Sequence, residues 1–374
     1  NYYHIKLKSL KIKRFSIMDV LSHKKLNIKA INFESPYVHL SNKYHAYNDT
    51  LANKSNKTLY DGVKDILNAI NVRDISVANI EFKYSKLSNG KSSDFNVKNI
   101  NIKVHDVLID ETSITDTTRF FYTKMVDIDV PGFEYALSDG FYMVKFDALK
   151  INTKDQNIML TNVDYKPKMN KSAYFKQRGK NITMAVMHFD TLRMEQLNFK
   201  KLIEDKQVLM KAVQIKNGFV KLANDKRYPK TPINQVGSSP HQKLMKLKQL
   251  LYIDSVLLDN IDIEYDEFSA KFAREGKITF NKANGVITNV TNDTLLLNKD
   301  KFMRADLKAK VNNSGNMHVQ FGFDMLSKSG YHTYKGTLGG MQATSFNKIL
   351  QPLLNVEIAS GNIQSISFNM EGTD

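Results

Sequence analysis

With 374 residues, 42% of them apolar and 25% charged, the chain has the composition of a folded protein able to bury a large core, and its length admits one large or two ordinary domains. It has no cysteine, which excludes disulfides, thiolate metal sites and cysteine nucleophiles, and no tryptophan, which disfavours modules that stack sugars on indole rings. The net charge of +16 comes from dispersed lysines, with short clusters at His23-Lys24-Lys25 and at Lys243, Lys246 and Lys248. Without any zinc-finger, RNP-like or helix-turn-helix pattern, it predicts a solvated surface or contact with anionic lipid headgroups, and no nucleic acid.

In chain order, Ile5, Leu7, Leu10 and Ile12 open in alternation, as half-buried strands do. From Thr58 the apolar residues Leu59, Val63, Ile66, Leu67 and Ile70 fall at helical spacing, with Thr58 and Asp61 placed to cap the N-terminus. Alternation resumes at Val72, Ile75, Val77, Ile80 and Phe82, then at Phe95, Val97, Ile100, Ile102 and Val104, and again over Met143 to Ile151. A second capped helix is expected from Ser239, with Pro240 at its first position, Gln242 at its third and Leu244, Leu247 and Leu251 on one face. Strands follow at Val319, Phe321 and Phe323. Phe346 to Leu354 reads as a short helix interrupted by Pro352, and Val356 to Phe368 as strand again. The fold class is therefore mainly β with a few helices.

The two capped segments align, and the alignment extends into an internal repeat. At an offset of 182, Leu10 matches Leu192, Ile12 matches Met194, Val38 matches Val220 and Leu40 matches Leu222. At an offset of 181, Thr58 matches Ser239, Asn79 matches Asn260 and Tyr84 matches Tyr265. A four-residue insertion then brings Phe95-Asn96 onto Phe280-Asn281. Two tandem units are expected, 1–182 and 183–374, each with one amphipathic helix on an extended, twisted antiparallel sheet or groove. The second unit's polar loop holds Pro229, Pro232, Gly237 and Pro240.

A search for reactive chemistry yields no catalytic constellation. The nine histidines, at 4, 23, 39, 45, 105, 188, 241, 318 and 332, never take zinc-protease or His-x-His spacing, and are expected at strand surfaces, so no metal site is assigned. Gly90-Lys91-Ser92-Ser93 lacks the upstream glycine of a phosphate loop, and Gly336 with Gly339 and Gly340 lacks a dinucleotide-binding context. Asp127 with Asp129 and Asp262 with Glu264 put carboxylates on one strand face, a pattern that polar alternation produces unaided. No cofactor is expected, and no helix-length apolar run could span a membrane.

Leu26-x-Ile28-x-x-Ile31-x-Phe33-x-x-Pro36-x-Val38-x-Leu40, the strand Val72 to Phe82, and the ending Gly336-x-Leu338-Gly339-x-Met341 through Asn347, Pro352-Leu353, Gly361 and Phe368 resemble the AsmA-like proteins over most of the chain. The resemblance rests on apolar alternation, not on chemical motifs. It implies a non-enzymatic periplasmic protein, held to the inner membrane by an N-terminal helix outside this sequence and taking part in outer-membrane biogenesis or lipid transport. Both chain ends fall in alternating text, in keeping with a piece of a longer protein. An apolar β-groove would then hold a phospholipid or other envelope lipid, with Ile75, Val77, Phe95, Val97, Val319, Phe321 and Phe323 as candidate lining residues. A secreted or surface β-rich adhesion or scaffold module is the alternative, and a hydrolase without a recognisable motif a third class.

Overall fold

The computed structural model describes residues 2–43, 58–88, 91–137, 139–230 and 239–373. Most of the polar loops expected before each capped segment, including Pro232 and Gly237, lie outside these residues, as do His45 and Gly90. Strand makes up 61% of the structure and helix 14%, so the chain is mainly β. It divides into two compact units, Asn1–Phe133 with Asp147–Ile158, and Glu134–Phe146 with Met159–Asp374.

The first unit begins with β1 (Tyr2–Lys6), β2 (Ser9–Phe15), helix α1 (Ile17–His23), β3 (Lys25–Glu34), β4 (Tyr37–Lys43), β5 (Ala69–Ser88) and β6 (Lys91–Ile109). After them come β7 (Met125–Ala136), β8 (Tyr142–Asn152), β9 (Asn157–Pro167) and helix α2 (Lys171–Arg178). The second unit continues with β10 (Met184–Glu195), α3 (Phe199–Glu204), β11 (Val208–Asp225), α4 (Pro240–Met245), β12 (Leu251–Ser269), β13 (Arg274–Thr291) and α5 (Thr294–Leu297). It closes with β14 (Phe302–Val311), β15 (Gly315–Asp324), β16 (His332–Gln342), α6 (Asn347–Leu354) and β17 (Asn362–Gly372). The sheet is mixed: β3 and β4 both run parallel to β5, and β11 runs parallel to β12, while the other neighbours described here are antiparallel.

Pairing register carries the repeat further than sequence matching can. Leu10 opposes Phe33 and Ile12 opposes Ile31, while Leu192 opposes Ile215 and Met194 opposes Val213, each residue displaced by 182. The parallel pairs Phe33 with Val77 and Leu40 with Tyr84 recur as Ile215 with Leu258 and Leu222 with Tyr265. On the next strand the register corrects the expected four-residue insertion. Phe82 opposes Val97 and Ile263 opposes Phe280, so Phe280 corresponds to Val97, not to Phe95, and the offset is 183. Two extra residues suffice, both in the hairpin, which closes at Ser88 and Lys91 in one copy and at Ser269 and Arg274 in the other.

A shared irregularity crosses both copies. Val77 opposes Ile102, Ile80 opposes Ile100 and Phe82 opposes Val97, so each strand takes one three-residue step where a regular strand takes two. Leu258, Ile261 and Ile263 repeat the pattern against Gly285, Ala283 and Phe280. One extra residue would turn every later side chain to the opposite face, and a bulge absorbs it. The bulged positions adopt the left-handed backbone, with φ of 55° and 58° at Asn79 and Asn99 and 57° and 51° at Asn260 and Lys282. An asparagine bridges each pair. Asn101 accepts from the Asn79 N–H at 3.0 Å and donates to the Asn99 carbonyl at 3.1 Å; Asn284 accepts from the Asn260 N–H at 2.9 Å and donates to the Lys282 carbonyl at 2.6 Å.

The capped segments keep their caps and shorten their helices. Thr58 and Asp61 exchange hydrogen bonds, and the Thr58 N–H and hydroxyl with Lys64 hold the Asp61 carboxyl down to about 2. Yet only a 3₁₀ turn, Tyr60–Gly62, follows, not a helix through Ile70. Gly62 and β-branched Val63 are poor helix residues, and Val63 leaves the helical region at φ −129°. In the second copy Ser239 and Gln242 form a capping box, but α4 stops at Met245, short of Leu251. The helices common to both copies are instead α1 and α3, 182 residues apart, capped by Ser16 and Asn198. α6 forms where expected, with Pro352 inside it.

Placing a β-branched residue at the left-handed position of the bulge tests its energetics. Asn260→Val is expected to destabilise the protein by about 1–3 kcal/mol, while Asn260→Gly changes stability by well under 1 kcal/mol, read as urea midpoints. Equal effects of the two substitutions would contradict the strain assigned to this residue.

Candidate functional site

In the second unit the register assembles two apolar rows across eight strands. One runs through Met194, Val213, Val256, Ile287, Ala305, Phe321, Tyr334 and Met370, each opposite the next. Its neighbour runs through Leu192, Ile215, Leu258, Gly285, Leu307, Val319, Gly336 and Phe368. No polar side chain other than the Tyr334 hydroxyl interrupts either row. The other side of β14 to β17 carries Arg304, Gly322, Thr333 and Glu371, then Asp306, Gln320, Lys335 and Asn369. There Asp306 accepts hydrogen bonds from Gln320 at 2.5 Å and pairs with His318 at 2.7 Å, and both hold its carboxyl below the usual carboxylate range.

Helices close the two ends of this apolar face. At one end α6 lies on β13 so closely that a Cβ on Gly276 would stand 2.8 Å from Leu353 Cγ, so any larger residue there would push Leu353 aside. Next to it Val311, Leu338 and Met341 are buried, with Ile278, Phe280, Met317, Ile363 and, from the turn before α6, Phe346 around them. At the other end α4 sets its buried His241 against Phe323, ring centroids 5.3 Å apart, and Gln242 donates to the Lys328 carbonyl at 3.1 Å. Between these ends the rows stay partly open. Of their sixteen positions only Val213, Ala305 and Val319 are buried, and Met370 is 45% exposed. Two facing sheets of a sandwich would bury most of them.

A separate core lies under α2, where Tyr142, Tyr174, Phe175, Met184 and Ala223 are buried. Asn170 caps that helix, and Gly179 ends it at φ 63°. The Ala185 N–H donates to the Tyr142 hydroxyl at 3.0 Å, and burial pushes the Tyr142 phenol well above the usual tyrosine range.

The first unit carries the counterparts of the open rows. Ile12, Ile31, Ile75, Val104 and Val126 oppose one another in turn, as do Leu10, Phe33, Val77, Ile102 and Ile128. The reverse side is polar: Lys11, Asn32, Ser76, Lys103 and Asp127. Of the residues singled out from sequence, Ile75 and Val77 sit in these rows, and Phe95 and Val97 beyond the bulge, where Phe95 meets Phe82, Tyr84 and Phe133. Val319 and Phe321 sit in the rows of the second unit, and Phe323 stacks on Phe321 at 5.9 Å next to α4. Sequence reasoning missed the parallel-strand members of the rows, such as Ile215 and Leu258, because parallel pairing leaves no local mark.

The paired carboxylates have structural partners. Asp127 accepts from Asn152 at 2.6 Å, Asp262 accepts from the Lys282 N–H at 2.9 Å, and Glu264 pairs with Lys277 at 3.0 Å. Among the described residues no group of histidines and carboxylates is placed to hold a metal ion. The surface position expected for the histidines fails at His241, which is 2% exposed because α4 packs it against Phe323 and His332. Neither family models nor curated proteins give a match to this chain.

If the rows are open to solvent, a residue in them should matter less to stability than a buried aromatic. Phe175→Ala is expected to cost about 3–5 kcal/mol, and Phe321→Ala less than about 2 kcal/mol, by chemical denaturation. Equal costs would mean that Phe321 is covered.

Proposed function

We propose that this protein is a non-enzymatic lipid-handling protein of the bacterial envelope, which holds acyl chains against its open apolar sheet faces. The observation that supports this reading is the pair of rows running across eight strands, apolar throughout yet for the most part only half-buried, between the covered ends made by α4 and α6. A soluble surface seldom leaves so large a contiguous apolar area uncovered unless something binds there. Acyl chains suit it because their attraction is non-directional. At about 0.8 kcal/mol per buried methylene, about ten methylenes would contribute ~8 kcal/mol before entropic costs. Such binding needs no catalytic group.

The resemblance to AsmA-like proteins adds a setting to this chemistry: the periplasm, attachment to the inner membrane through a helix outside this sequence, and a part in outer-membrane biogenesis or lipid transport. An adhesion or scaffold module could use the same strands, but would have no need of an unfilled apolar face.

Protein expressed in a bacterial envelope and purified in mild detergent is expected to carry phospholipid, read by lipid mass spectrometry. Phe321→Asp, in protein that keeps its strand circular dichroism, is expected to lower the bound lipid at least about threefold, since a carboxylate on an apolar row is strongly disfavoured beside hydrocarbon. Lipid-free wild-type protein, or undiminished lipid in the variant, would refute the reading.

A further inference from the structure

The two copies share a backbone but diverge in charge at one place. Two residues beyond the row Ile12, Ile31, Ile75, Val104 and Val126 stand Arg14, Lys29, Arg73 and Asp106, on the same strands, and Lys124, just before β7. All five line one cleft of about 780 Å³ in the first unit, joined by Arg119 from the turn before β7. Phe15, Ile28, Val72 and Val107 line the same cleft, so its cations border apolar side chains at the end of the open rows.

Five cations and one carboxylate therefore face one space. Arg73 reaches Asp74 at 3.6 Å, and Arg119 pairs with Asp116 at 3.2 Å while donating to the Asp106 carbonyl at 2.6 Å. Among the described residues Arg14, Lys29 and Lys124 make no ion pair, which leaves three cations available to a ligand. The matching positions of the second copy are Gln196, Lys211, Asp254, Asn289 and Met303, one cation balanced by one carboxylate. Backbone shape does not account for the difference, since Arg14 and Gln196 share a φ of 51° and Asp106 and Asn289 have 52° and 57°. The cleft on the polar side of β14 to β17 is balanced too, Arg304 and Lys335 facing Asp306 and Glu371.

We propose that the cleft lined by Arg14, Lys29, Arg73 and Lys124 binds the phosphate-bearing anionic headgroup of a membrane lipid whose acyl chains lie on the adjoining rows of the first unit. The proposal rests on the acyl-binding reading given above, and it adds headgroup selectivity and a location. Arginine offers phosphate a planar pair of donors, and lysine a compact charge.

The test uses the full chain and phosphatidylcholine vesicles containing either fluorescent phosphatidylglycerol or a fluorescent diacylglycerol with the same chains. After separation from the vesicles, wild-type protein is expected to retain about tenfold more phosphatidylglycerol than diacylglycerol at physiological salt. The variant Arg14→Gln/Arg73→Asp/Lys124→Met places at each position the side chain that the second copy carries, so the fold should tolerate it. It is expected to retain both lipids equally. Lys243→Gln/Lys246→Asp/Lys248→Met changes the charge by the same amount elsewhere and should keep the preference. An excess of inorganic phosphate should leave the preference in place. Equal retention of both lipids by the wild type, loss of preference in the distant variant, or its abolition by free phosphate would each overturn the headgroup site. Retention of neither lipid would overturn the acyl-binding reading itself.

Discussion

Keeping the apolar rows on one face of the sheet is the constraint on which this protein depends. A strand has a period of two, so one extra residue would send the rest of that strand's apolar set to the wrong side. Both copies meet such an extra residue in the middle of long strands, and both absorb it with paired bulges bridged by a single asparagine, Asn101 or Asn284. Through these bulges the rows at Val77 and Ile102 continue as Ile80, Phe82 and Val97. The polar reverse side follows from the same phase.

From that constraint come both the stability and the openness of the second unit. Helices cover the apolar face at its ends, where Val311, Leu338 and Met341 are buried next to α6 and His241 packs against Phe323. The intervening rows rely on neighbours within the sheet and remain partly exposed. A closed sandwich would gain more burial there but would leave no space for a ligand. The first unit has the same rows with a cationic border added, so the two copies differ in surface chemistry while sharing one scaffold.

Much of this was legible in the sequence, for physical reasons that also explain the failures. Alternation at Ile75 and Val77, or at Val319 and Phe321, marks strands with one apolar face, and the matched caps at Thr58 and Ser239 revealed the repeat. The size of the insertion before β13 was misread because a period of two makes offsets of 183 and 185 equally good for apolar matching, and only pairing register separates them. The helix expected after Thr58 failed at Gly62 and Val63, where poor helix residues follow a sound cap. α1 and α3 went unnoticed because six or seven residues hold too few turns for a periodic signal. The cationic cleft was invisible in the sequence, since Arg14, Lys29, Arg73 and Lys124 come from four separate segments that meet only through strand order.

Whether one side of the sheet faces lipid and the other water is decided most directly at adjacent residues on β13. Ile287 lies in an apolar row and Thr288 on the polar side, opposite Arg304. A photoreactive benzophenone side chain placed at each position in turn, irradiated in cells and followed by mass spectrometry of the purified protein, reports what each side touches. Adducts of phospholipid mass are expected at position 287 and none at position 288. Equal lipid adducts at both positions, or only protein cross-links at 287, would mean that the apolar rows do not face lipid.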